Sequence, residues 1–232
     1  PRYIRMDGET PGNLENLNAS RGQIIELDAN LAGRLDGILR KAYDGTELPV
    51  GDADVSIAQI TTRDIDRGDH PHYLMKEIGE APTSFRKTLR GKVTETPEGP
   101  RVTLDHAIVP EAVRLGLSEG SIARVLVIGQ GTAAVAGQSL AAALQALIPA
   151  GEVHAEAILA TELSGFGLQS DMSDTLIVAV SQSGTTTDTN RTVDIVRNRG
   201  AKVIAIVNRR GSDLTDRADG VLYTSDGRDV EM

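Results

Sequence analysis

From Ala123 onward the chain alternates short apolar runs with helical segments, and this alternation restricts the fold more than any other feature of the sequence. Ala123–Ile128, Val153–Ile158, Thr175–Val180 and Lys202–Val207 are runs of Val, Ile, Leu and Ala with little polar alternation, and Val221–Thr224 adds a fifth. Strands that are apolar on both faces belong to parallel sheets covered on both sides by helices. The intervening segments fit that role: Thr132–Ile148 is rich in Ala and Leu, Thr186–Arg199 ends at Gly200, and a short helix is expected near Asp213–Ala218. The predicted fold class is therefore α/β, a doubly wound, flavodoxin-like, five-stranded parallel sheet. Ligands of such folds bind beyond the carboxyl ends of the strands.

Composition narrows the possible guests. Aromatic residues are 3% of the chain and the net charge is −9, so base stacking and attraction to nucleic acid or anionic membrane are not expected. No apolar run approaches the roughly 18 residues of a membrane span, and the absence of cysteine excludes thiolate chemistry within these residues. A cytoplasmic protein without cofactor or metal is the expectation. His70 and His72 bracket a proline but have no third ligand nearby, so they are read as linker residues, and His106 and His154 have no partner in the sequence.

Two strand-to-helix turns carry the polar residues. Ser181-Gln182-Ser183-Gly184-Thr185-Thr186 follows the third strand of the sheet, where free backbone N–H groups and the positive end of a helix converge. Hydroxyls, an amide and a permissive glycine at that place can hold a phosphate dianion without Lys or Arg. The competing explanation is helix capping, which needs only one hydroxyl. The other turn, Gly129-Gln130-Gly131-Thr132, lacks dinucleotide spacing because Ala134 stands at the third glycine position, and this disfavours an oxidoreductase. Asp171 and Asp174 are expected to shape a turn, while Glu162 could approach a ligand or simply begin a helix.

The loop Ser181-Gln182-Ser183-Gly184-x-Thr186-x-Asp188-Thr189 resembles the S-Q-S-G-E-T-x-D-T signature of the isomerase half of glutamine:fructose-6-phosphate aminotransferase. Tyr73-Leu74-Met75-Lys76-Glu77-Ile78-Gly79-Glu80-Ala81-Pro82 is similar to the H-F-M-x-K-E-I-x-E-Q-P segment opening that half, and Gly131-Thr132 matches its first loop. The resemblance runs from about Ile60 to Met232 and departs from the family at Ala133, where a serine is usual, and at Thr185, where a glutamate is. It implies a sugar isomerase (SIS) domain in which Ser181, Gln182, Ser183 and Thr186 hold the phosphate of fructose 6-phosphate or glucosamine 6-phosphate, with Thr132 reaching the sugar. It also implies a homodimer. The ring-opening and proton-transfer groups of the family lie in a second SIS domain, and its glutaminase half uses an N-terminal cysteine. No catalytic residue is thus expected here, and the chain alone is expected to be inactive. A regulatory sugar-phosphate sensor and another phosphosugar isomerase or deglycase are the alternatives.

The domain expectation is a linker or tail of a preceding glutaminase-like domain at residues 1–66 and the SIS domain at 67–232, cut before a second SIS domain. Within the first segment, Asp7-Gly8 and Pro11-Gly12 signal turns, Gln23–Leu27 a strand and Leu31–Tyr43 an amphipathic helix. Within the second, a helix over His72–Leu89 is expected to be interrupted near Pro82, and one over Asp105–Leu117 to bend or break at Pro110.

Overall fold

The computed structural model describes residues 2–4, 23–42, 45–57, 66–149 and 151–227. The turn signals at Asp7-Gly8 and Pro11-Gly12 lie outside them. The chain divides into two compact units, Pro1–Thr61 and Thr62–Met232.

In the first unit Gln23–Leu27 is a strand, but the helix expected over Leu31–Tyr43 does not form. Two 3₁₀ turns, Ala29–Leu31 and Leu35–Gly37, lead instead into a strand at Ile38–Ala42. That strand pairs antiparallel with Gln23–Leu27, from Leu27 opposite Ile38 to Gln23 opposite Ala42, and on its other side with Glu47–Leu48. Gly37 is packed so closely that a Cβ there would lie 2.8 Å from the Leu31 Cβ, a contact that only glycine permits. Arg40, buried in this strand, donates to the Pro49 carbonyl at 2.8 Å and pairs with Asp54. Strand pairing and this buried guanidinium outweigh a helical periodicity that spans fewer than four turns. A second pair, Arg2–Ile4 with Val55–Ile57, completes the unit. Its apolar cleft of about 650 Å³ is lined by Leu27, Leu31, Leu35, Ile38 and neighbours from the same unit.

The second unit opens with helix α1, Tyr73–Leu89, capped by the His72 Nδ1, which accepts from the Met75 N–H at 3.3 Å. Pro82 lies inside this helix without ending it, contrary to expectation. Both Pro82 and Ile78 face solvent, so the Ile78 carbonyl that loses its helical donor can turn to water. A hairpin, Val93–Thr96 with Gly99–Val102, follows. The next helix, α2, is Glu111–Ser118 and is shorter than expected, because Pro110 caps it rather than bending it. Residues before it form a turn in which the Asp105 carboxylate accepts from the N–H groups of Ala107 and Ile108.

The sheet then forms as the pattern demands. Its strands are β1 Arg124–Gly129, β2 His154–Leu159, β3 Thr175–Ser181, β4 Lys202–Val207 and β5 Gly220–Tyr223, with α3 Thr132–Leu147, α4 Thr187–Asn198 and α5 Asp213–Arg217 between them. All pairings are parallel and the spatial order is β5-β4-β3-β1-β2, the flavodoxin-like arrangement. Alternate residues of the same strands serve two cores. Leu126, Ile128, Ile177, Ala179, Val203 and Ala205 pack against Val193 and Val196 of α4 and Leu214 of α5. Val125, Val127, Leu176, Val178 and Ile204 pack against Val113 of α2 and Ala141 of α3. This is why the strands show no polar alternation, and each such Val, Leu or Ile side chain contributes about 1.5–3 kcal/mol by leaving water.

Candidate functional site

The order β2-β1-β3 places the reversal of winding between β1 and β3, and the loops following those two strands are the hydroxyl-rich turns of the sequence. Register keeps them level: Ala179 of β3 lies opposite Ile128 of β1, and Gly129 ends β1 where Leu159 ends β2. Thr132, exposed at the start of α3 beyond its cap Gly131, therefore opens on the same edge as Ser181–Thr186.

Ser181 is the last residue of β3 and is buried, and its Oγ accepts from the Gly184 N–H at 3.0 Å. The Ser183 Oγ accepts from the Thr185 N–H at 3.2 Å and from the Thr185 hydroxyl at 3.0 Å. Each serine oxygen thus organises the turn by accepting from a backbone N–H, and the Ser181 hydroxyl donates to no described residue. Thr186 is the N-cap of α4, yet its side chain makes no capping bond. Gln182 is half-buried and its backbone carbonyl accepts from the N–H groups of Asn208 and Arg209 at 3.1 and 3.2 Å. The first N–H groups of α4 follow directly on this turn, and helical geometry leaves them without an acceptor inside the helix.

The loop is braced from outside by residues that sequence reasoning missed. The Gly184 carbonyl accepts from the Asn190 side-chain amide at 3.1 Å and from the Leu214 N–H at 3.0 Å. Gly184 has φ +67°, and a Cβ on it would stand 2.0 Å from the Ser212 Oγ. Three oxygens on the bracing segments, Thr189 Oγ1, Asn190 Oδ1 and Ser212 Oγ, are buried and find no partner among the described residues. A serine ahead of a short helix is the only advance signal of this support. Nearby, the Gln130 side chain donates to the Thr161 hydroxyl at 3.5 Å, and Thr192 donates to the Ala160 carbonyl, which ties α4 to the turn after β2.

Other singled-out residues behave structurally. The Asp171 carboxylate accepts from the Ser173 N–H, and this bond and the Ser173 side chain hold its pKa below the usual aspartate value. Asp174 is likewise lowered, first by the Arg124 guanidinium at 3.0 Å and then by the Thr175 hydroxyl. Glu162 is exposed in the turn after β2. His106 lies 3.4 Å from Glu111, and His154 lies 3.9 Å from Glu156. Among the described residues no group of three His, Asp or Glu could hold a metal ion, and no helix is long and apolar enough to cross a membrane.

Comparison with known proteins agrees with this architecture. Residues 121–231 match the model of the SIS domain. Glutamine–fructose-6-phosphate aminotransferase (isomerizing) of Corynebacterium diphtheriae is 35% identical over 169 residues, which is 72% of this chain and 25% of that protein. The Streptomyces coelicolor enzyme of the same name is 32% identical over 216 residues, 90% of this chain and 31% of that protein. The chain spans about a quarter to a third of the length of these curated relatives. Among solved structures, the C-terminal domain of glucosamine-fructose-6-phosphate aminotransferase from Francisella tularensis superposes with TM-score 0.53 at 21% identity, covering 71% of this chain and 42% of that domain. The chain therefore carries a SIS domain over residues 121–231 and is related to the glutamine–fructose-6-phosphate aminotransferases.

Proposed function

We propose that the loop Ser181–Thr186 binds the phosphate of fructose 6-phosphate or glucosamine 6-phosphate, as part of an isomerising aminotransferase that makes amino sugars. The observation that carries this reading is the hydroxyl bookkeeping of the loop. Ser181 and Ser183 accept from the backbone, which leaves their hydroxyls able to donate to a ligand, while Thr186 stands at the cap of α4 without capping it. Helix capping alone would have consumed the Thr186 oxygen. A phosphate there meets neutral hydroxyl donors, free N–H groups and the positive end of α4, and Thr132 on the adjacent loop faces the sugar end.

On this reading the chain holds and orients the sugar phosphate, and ring opening and proton transfer are performed by residues outside it. Hydroxyls and an amide are not competent bases near neutral pH. The protein works in the cytoplasm as a homodimer. The outer face of α3 supports self-association, since Val135 and Leu147 are 61% and 83% exposed beside the exposed Ala142, Ala143 and Ala146, although Ala141 is turned into the core. Sedimentation showing only monomer at high concentration refutes the dimer.

Calorimetry decides the binding reading. Fructose 6-phosphate binds and fructose does not, and Ser183→Ala weakens binding by about 1.5–3 kcal/mol, the worth of a hydrogen bond to a charged group. Equal affinity of the variant and the native chain refutes the assignment.

A further inference from the structure

The phosphate loop contains no cation, and the first turn of α4 carries the exposed Asp188, which repels an incoming dianion. The segment after β4 brings two arginines to the same edge of the sheet. Arg210 lies over the Tyr223 ring, with its guanidinium carbon 4.2 Å from the centroid. Arg209 is placed differently. Its N–H donates to the Gln182 carbonyl at 3.2 Å, which fixes its backbone directly against the phosphate loop. Its side chain is exposed and makes no hydrogen bond or ion pair among the described residues. Three other arginines of the sheet region are engaged, Arg124 with Asp174, Arg197 with Asp219 and Arg217 with Asp194, while the exposed Arg191 lies in the second turn of α4 and has no backbone bond to the loop.

The geometry points to Arg209 as a specificity residue that closes over the bound phosphate, pairing its guanidinium with the dianion held from below by the hydroxyls of Ser181, Ser183 and Thr186. This rests on the phosphate reading of the loop. A guanidinium suits the task because its planar fork matches two phosphate oxygens at once, and the exposed, flexible side chain can swing aside for ligand entry. It also offsets Asp188 locally, where the net charge of −9 gives no help.

The test is calorimetric titration of the full chain with fructose 6-phosphate at low and at physiological salt, for the native protein, Arg209→Ala, Arg209→Lys and Ser183→Ala. Arg209→Ala is expected to weaken binding about tenfold at low salt, with Arg209→Lys in between. The Arg209 deficit narrows as salt is added, because an exposed charge is screened, whereas the Ser183 deficit does not. If Ser183→Ala loses affinity and Arg209→Ala binds like the native chain at both salts, the role of Arg209 is refuted and the phosphate site stands. If the native chain binds no sugar phosphate, both fall.

Discussion

Replacing Gly184 with alanine should damage this protein more than any other single methyl group near the site. With φ at +67°, any Cβ there occupies left-handed backbone space, which costs about 1–2 kcal/mol. The new methyl would also stand 2.0 Å from the Ser212 Oγ, 2.6 Å from its Cβ and 3.0 Å from the Val207 Cγ2. Relieving such contacts by backbone movement costs about 1–3 kcal/mol. The combined loss, about 2–5 kcal/mol, is a large share of the roughly 5–15 kcal/mol that holds a domain together. Urea unfolding followed by far-ultraviolet circular dichroism suits a chain with no tryptophan, and the midpoint of Gly184→Ala should fall well below that of the native protein. The double variant Gly184→Ala with Ser212→Gly separates the two causes. It removes the clash with Ser212, whose side chain makes no hydrogen bond among the described residues and no capping bond to α5 although it is the N-cap residue, but it leaves the Val207 contact and the backbone strain. It should recover the part due to Ser212 and remain short by at least the strain of about 1–2 kcal/mol. A native-like midpoint for Gly184→Ala refutes the reasoning outright. A double variant no better than the single shows that Ser212 is not the obstacle.

Two further predictions concern charge and turnover. Asp174 has a folded pKa below its unfolded value, so its contribution is complete above the ordinary aspartate range and is lost as the pH falls through the lowered folded value. Asp174→Asn should therefore cost under about 1 kcal/mol at neutral pH, the pair being half-exposed, with the difference from the native chain vanishing in strong acid; a deficit that persists there counts against the Arg124 pair as its cause. In deuterated water, fructose 6-phosphate incubated with the chain should show no exchange of its C1 protons above the buffer rate. Exchange abolished by Glu162→Gln would show that this domain is catalytic by itself.

What could be read from the sequence, and what could not, divides along physical lines. The five strands were legible because a parallel strand buried on both faces leaves an unbroken apolar run such as Thr175–Val180, which few other structures produce. The loop Ser181–Thr186 stood out because its polar residues are consecutive. Leu31–Tyr43 misled because its helical spacing is also compatible with a strand, and the deciding partner, Gln23–Leu27, is a tertiary pairing. Pro82 misled because exposure, which lets a helix absorb a proline, is not written in the local sequence. The braces of the loop, Asn190 and the segment from Asn208 to Leu214, act on backbone carbonyls, and a carbonyl has no residue type to recognise.

The junction of β3 and α4 has a consequence for how the site opens. Ser181 closes a central strand whose residues from Thr175 to Ala179 are all buried, hydrogen-bonded on both sides to β1 and β4. Backbone in such a strand opens only when the whole unit unfolds, whereas exposed residues such as Thr185 and Thr187 sit at a helix end that can fray at little cost. The loop Ser181–Thr186 therefore straddles a gradient of protection, with one hydroxyl anchored at the end of a buried central strand and another at a helix start free to breathe. A ligand that bridges the two would slow amide exchange chiefly at the fraying end, and would do so without altering the anchored one.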